Sequence, residues 1–112
     1  MCSRAFIRHA CGDDEMYVPS PTFLLMNSYD EVATGPSITH FDLYRLMAGA
    51  DMERLELETA QEKTLCLIEW PERLLSTPDH AIHVHISTLS EVCDSCVVVE
   101  HMYRCSHQCF CF

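Results

Sequence analysis

This sequence predicts an α/β domain, and three kinds of stretch carry the prediction. Residues 64–70, TLCLIEW, form an apolar run without alternation, as in a strand covered on both faces in a parallel sheet. Residues 80–89, HAIHVHISTL, alternate, with Ile82, Val84 and Ile86 on one side and His83 and His85 on the other. Two further stretches, CSRAFIRHA and DMERLELETAQEK, carry helical spacing. Strands that alternate with helices belong to an α/β architecture, and 112 residues make one domain at most.

In chain order, CSRAFIRHA puts Phe6, Ile7 and Ala10 on adjacent positions of one helix side, and Gly12 stops that helix. Pro19 and Pro21 push their predecessors toward extended geometry, so VPSP is a rigid loop entering an apolar run, Thr22 to Met26. DEVATGPS is a turn by composition, which predicts a hairpin of strands 22–29 and 37–44. In DMERLELETAQEK, Met52, Leu55 and Ala60 share a side with acids elsewhere, giving a surface helix over 51–63. Pro71 suits the first position of a short helix in PERLLS, and SCVVVEHMY is a last apolar run.

Composition excludes several classes. With 48% apolar and 21% charged residues the chain is globular, not disordered. No apolar run nears the ~18 residues of a spanning helix, and the N-terminus carries no long apolar leader, so a cytoplasmic location without membrane contact is expected. An organelle becomes the alternative if a transit peptide is missing. Seventeen acids against seven Lys and Arg give a formal charge of −10, with Arg4 and Arg8 the close basic pair. Independent binding to nucleic acid relies on such cations, so a role there is expected to run through a partner. Of the eight cysteines, Cys2, Cys11 and Cys66 stand alone and the other five crowd the end, and without an export signal they read as reduced thiols.

Two ionisable patterns sit inside apolar strands. TLCLIEW ends in Glu69, and an acid at the carboxyl end of a buried strand lies at the rim where ligands bind in open α/β sheets. In ITHFDLYRL, residues 38–46, an extended strand puts His40, Asp42 and Tyr44 on one face and Phe41, Leu43 and Arg45 on the other. Asp42 between two hydrogen-bonding side chains suits a general base or a water-orienting group. A solvated strand end for Glu69, and an Asp paired with Arg or His at a sheet edge, are the structural alternatives.

Taken in series, VPSPTFLLMNSYDE, HFDLYRL and CLIEWPER resemble the TsaE family over about residues 3–89. These are small P-loop ATPases of bacterial-type tRNA threonylcarbamoyladenosine (t6A37) synthesis. The resemblance implies a P-loop NTPase-like sheet with flanking helices. It implies that Glu69 is the magnesium-associated acid and that Asp42 acts near the γ-phosphate. Ser20, Pro21, Thr22 and Phe23 match a switch-like loop beside the nucleotide, and Trp70 lies near the nucleotide or a partner. Mg2+ and ATP are the implied cofactors. A TsaB/TsaD-like transferase complex is the implied partner, with tRNA contacted only indirectly.

The family's glycine-rich G-x-x-G-x-G-K-[ST] loop has no counterpart among these residues, whose glycines are Gly12, Gly35 and Gly49. CSRAFIR resembles the helix that follows that loop, so the fold is expected to be N-terminally truncated, with the phosphate-loop strand absent. Backbone amides and a Lys would cradle the phosphates, so the chain alone is expected to hydrolyse ATP weakly or not at all. A non-catalytic remnant that keeps partner-binding surface is the alternative. Residues 90–112 read as a divergent Cys-rich tail, in the same domain or an extension of it. Cys93 and Cys96 form C-x-x-C, with His101, Cys105, His107, Cys109 and Cys111 behind them, so a small zinc-binding module is a third reading. His83 and His85 read as a solvated strand face.

Overall fold

The computed structural model describes residues 2–46, 55–76, 78, 81–84 and 109–111. Its elements run α1 (Cys2–Cys11), β1 (Met26–Tyr29), β2 (Ile38–Asp42), α2 (Leu57–Lys63), β3 (Leu65–Glu69), a 3-10 turn (Pro71–Arg73), β4 (Ile82–His83) and β5 (Cys109–Cys111). The strands form one mixed sheet in the order β1-β2-β3-β5-β4. β1 pairs antiparallel with β2, while β2–β3, β3–β5 and β4–β5 are parallel. The α/β expectation therefore holds, and so does the hairpin.

The sheet is covered on both faces. On one, Ile38 and Leu67 pack with Ile7 of α1, Val18 and Tyr29, and Phe6 and Ala10 lean on the same cluster. On the other, Phe41, Leu43, Cys66 and Ile68 pack with Leu46, Leu55 and Ala81, and Leu57 and Ala60 of α2 lie against them. Period-two alternation sorts β2 and β3 between these layers. The unbroken apolar run of β3 is thus the signature of two covered faces, as expected. β2 carries ionisable residues and is nonetheless buried along its whole length, because it lies between β1 and β3 with a layer on each side, and its polar side chains find partners inside the protein.

Helix boundaries follow local chemistry. α1 ends at Gly12, whose φ of +72° is left-handed. Its N–H and that of Asp13 cap the His9 and Arg8 carbonyls at 3.1 Å each. A β-carbon at Gly12 would meet the Ala33 methyl at 3.3 Å, so both conformation and space favour glycine. α2 is shorter than the expected 51–63 helix. It starts at Leu57, after Glu56 takes a left-handed φ of 46°, while Met52 lies outside the described residues. At its other end the Thr64 hydroxyl meets the Ala60 carbonyl at 2.9 Å and the Thr39 hydroxyl at 2.8 Å, tying α2 to the sheet.

Pro71 does occupy a first helical position, but the helix is a single 3-10 turn. β1 begins at Met26 because residues 22–25 form a turn. The alternating stretch contributes Ile82 and His83 to β4, and His83 is half-buried, not solvated. His85, Ile86 and the SCVVVEHMY run fall outside the described residues, as does most of the 90–112 tail. No helix among the described residues is long and apolar enough to cross a membrane.

Phe41 is fully buried between layers, so Phe41→Ala is expected to destabilise the domain by about 3–5 kcal/mol in urea unfolding. A loss under about 1 kcal/mol would mean that the α2 layer does not close over the sheet.

Candidate functional site

The parallel register of β2 and β3 builds the site. Asp42 pairs with Glu69 at the carboxyl ends of the two strands, and the ladder continues through the Leu43 N–H to the Glu69 carbonyl at 3.1 Å. Adjacent parallel strands lie about 4.8 Å apart and paired residues point to the same face, so the two acids stand side by side. That face is the one covered by α1.

Each carboxylate has its own set of donors. Thr22 Oγ1 donates to Asp42 Oδ2 at 2.6 Å, and the Ser20 hydroxyl approaches the same oxygen at 3.5 Å. Ser20 and Thr22 are bonded to each other at 2.6 Å, and the Tyr44 N–H donates to Asp42 Oδ1 at 3.0 Å. Asp42 is 3% exposed. The Ser20–Thr22 loop is held there by its neighbours, since the Leu25 N–H meets the Pro21 carbonyl at 2.6 Å and the Asp42 N–H meets the Leu25 carbonyl at 3.1 Å. Leu25 takes a φ of 65°, a strained value for a branched residue.

Glu69 is bound differently. His40 Nε2 lies 2.9 Å from Glu69 Oε1, and the Ser3 hydroxyl of α1 donates to the same oxygen. The hydrogen bond from His40 holds the Glu69 carboxyl below the usual carboxylate range, against the opposing effect of burial, with Ser3 and the charge of Arg4 adding to it. Directly after it, Trp70 has a φ of 61°. This left-handed turn ends the strand and brings the indole to 4.8 Å from the Tyr44 ring, tilted by 49°. Phe23 stands out from the serine–threonine loop with the Arg45 guanidinium 4.4 Å above its ring.

The structure thus brings Ser20, Thr22 and Asp42 into one hydrogen-bonded group, sets Glu69 beside Asp42, and leaves Trp70 on the rim, half-exposed against Tyr44. One expectation is corrected. Asp42 does not sit between the His40 and Tyr44 side chains as hydrogen-bond partners. Tyr44 contributes its backbone N–H, because β2 ends at Asp42 and the chain turns there. His40 turns to Glu69, two residues beyond its own register partner Leu67. Ser3 was not among the residues the sequence singled out. It lies 66 positions from Glu69, and no local pattern signals such a contact.

The donor set at the strand ends is carboxylate and hydroxyl oxygen, the chemistry of Mg2+ rather than of softer metals. Among the described residues no group of three or more His, Cys, Asp or Glu could hold a metal alone. The tail's candidate zinc ligands Cys93, Cys96, His101, Cys105 and His107 lie outside the described residues.

A lowered Glu69 carboxyl has a consequence for stability. Folded Glu69 binds a proton less readily than unfolded Glu69, so its contribution is present above the ordinary glutamate value and is lost as pH falls through the lower folded one. Urea-unfolding stability is expected to decline below about pH 4.3, and Glu69→Gln should flatten that part of the profile. An acid limb identical in the variant would show that the His40 and Ser3 bonds do not stabilise the charged form.

A protein-family model described as threonylcarbamoyl adenosine biosynthesis protein TsaE matches residues 2–97. The chain is similar to the tRNA threonylcarbamoyladenosine biosynthesis protein TsaE of Rickettsia felis, with 35% identity over 99 residues, 86% of this chain and 55% of that protein. It also matches the proteins of the same name from Haemophilus influenzae (43% over 60 residues, 50% of this chain and 35% of that one) and Streptomyces coelicolor (38% over 56 residues, 49% and 38%). Against the Rickettsia relatives the chain spans a little over half of their length. The matched span takes in α1, the serine–threonine loop and the ends of β2 and β3, and on that ground the chain belongs to the TsaE family.

Proposed function

We propose that this chain acts in tRNA threonylcarbamoyladenosine (t6A37) biosynthesis and carries the acid side of an ATP site in a P-loop NTPase-type sheet. The observation that carries this reading is the pairing of Asp42 with Glu69 at the carboxyl ends of adjacent parallel strands, where open α/β sheets bind ligands. The relatives' names supply the pathway, and the geometry supplies a chemistry suited to nucleotide hydrolysis.

In this reading Glu69, with Asp42 beside it, would hold Mg2+, which when bound neutralises phosphate charge. Asp42 orients the attacking water at the terminal phosphate, or takes up its proton. Ser20 and Thr22 keep that carboxylate in place and bring their loop up to the nucleotide. Trp70 and Tyr44 line the rim, facing nucleotide or partner. These 112 residues include no glycine-rich lysine loop, so the acids alone do not make a strong phosphate site. Purified as it stands, the chain is expected to turn over ATP weakly or not at all. The formal charge of −10 disfavours a direct grip on tRNA, so contact with the tRNA runs through a TsaB/TsaD-like transferase complex in this reading.

The test is genetic and chemical. In a bacterial strain depleted of its own TsaE, the reading frame that carries these residues should restore t6A, measured by mass spectrometry of bulk tRNA. Asp42→Asn should lower the rate of t6A formation by about a hundredfold, the scale of a lost general base. Restoration by Asp42→Asn at the full rate would refute the assignment, as would failure of the unsubstituted frame.

A further inference from the structure

We propose that His40 is a positioning residue that fixes Glu69 by one carboxylate oxygen, so that the other oxygen is the one presented to a cation. The inference rests on the nucleotide-site reading of Glu69 given above and deepens it.

Among the described residues, both side-chain hydrogen bonds to Glu69, from His40 and from Ser3, end on Oε1. An ionised carboxylate only accepts, so His40 Nε2 carries the proton in that bond. The other ring nitrogen, Nδ1, is buried and finds no hydrogen-bond partner among the described residues. His40 itself is 1% exposed, flanked along its strand by Ile38 and across it by Leu67. A histidine kept there for packing alone would be a poor choice, because leucine or methionine fills such a space without an orphaned polar atom. What the imidazole adds is one N–H delivered to Oε1 from a ring that its surroundings hold still.

A carboxylate at a strand end rotates about its last torsion unless something holds it. Two donors on one oxygen stop that rotation and define where the other oxygen lies. Partners of this kind govern the affinity and orientation of a ligating side chain although they never touch the ion. The two donors also come from different elements, β2 and α1, so Glu69 is held from the sheet and from the helix that covers it.

Two substitutions of similar polarity separate positioning from packing. Glutamine can place an amide N–H near the Nε2 position, whereas asparagine reaches only the Nδ1 position. The readout is Mn2+ affinity in the presence of ATP, followed by water-proton relaxation in the protein made from the reading frame that carries these residues. His40→Asn is expected to weaken Mn2+ binding about tenfold or more, and His40→Gln to stay within about threefold of the unsubstituted protein. Equal affinity in both variants, whether retained or lost, would overturn the positioning role while leaving Glu69 as the cation acid. Absence of Mn2+ binding in the unsubstituted protein would instead overturn the nucleotide-site reading, and this inference with it. Should His40→Asn fail to fold, the tautomer of His40, read from long-range proton–nitrogen NMR correlations, decides. A proton on Nε2 supports the inference, and a proton on Nδ1 refutes it.

Discussion

The parallel pairing of β2 with β3 is the constraint on which the rest of this structure depends. Its register runs from Ile38 with Leu65 to Asp42 with Glu69. A slip by one residue would exchange the faces of every side chain on one strand. Phe41 or Ile68 would leave the α2 layer, and Asp42 and Glu69 would no longer share a face. Core packing therefore fixes the site. The same apolar side chains that make the register costly to change also hold the two acids together.

Around that pairing, the protein restrains charged and polar groups inside a well-packed sheet. β2 contains Thr39, His40 and Asp42, all buried. Each would be expensive alone, and each is bonded by a different element: Thr39 by Thr64 at the end of α2, His40 through Nε2 by Glu69 of β3, and Asp42 by the serine–threonine loop. These bonds stitch separate parts of the chain to one strand. They also leave left-handed backbone at Leu25 and Trp70, on either side of the acids. Non-glycine residues hold such conformations where surrounding contacts over-determine them, commonly at sites of function.

The exposed rim has a different character. Phe23, Tyr44 and Trp70 are all substantially exposed beside a nearly inaccessible Asp42. Their rings are occupied in pairs, Phe23 with Arg45 and Tyr44 with Trp70. The site thus combines a rigid acidic floor with an aromatic border. In the proposed function, the floor serves the phosphate end of a nucleotide, and the border is the surface available to base or partner.

Much of this was legible in the sequence because it is local. The unbroken apolar run of TLCLIEW marks a strand covered on both sides, Gly12 marks a helix end, and Pro71 marks a helical start. The three motif blocks pointed to the family and singled out Ser20, Thr22, Asp42, Glu69 and Trp70. Some features were not legible. The complete burial of β2 is one, since the partners that let a strand bury His40 and Asp42 lie elsewhere in the chain. The helix ending in Lys63 begins later than its spacing suggests, because Glu56 breaks the backbone with a left-handed turn that periodicity does not register. Above all, the sequence by itself determined which carboxylates exist and at which strand ends. Only the tertiary structure decided that His40 belongs to Glu69 and not to Asp42, and that Ser3 joins it. Those contacts depend on strand register and on where α1 docks, and both are set by burying apolar surface across the whole domain rather than by any neighbouring residues in the chain.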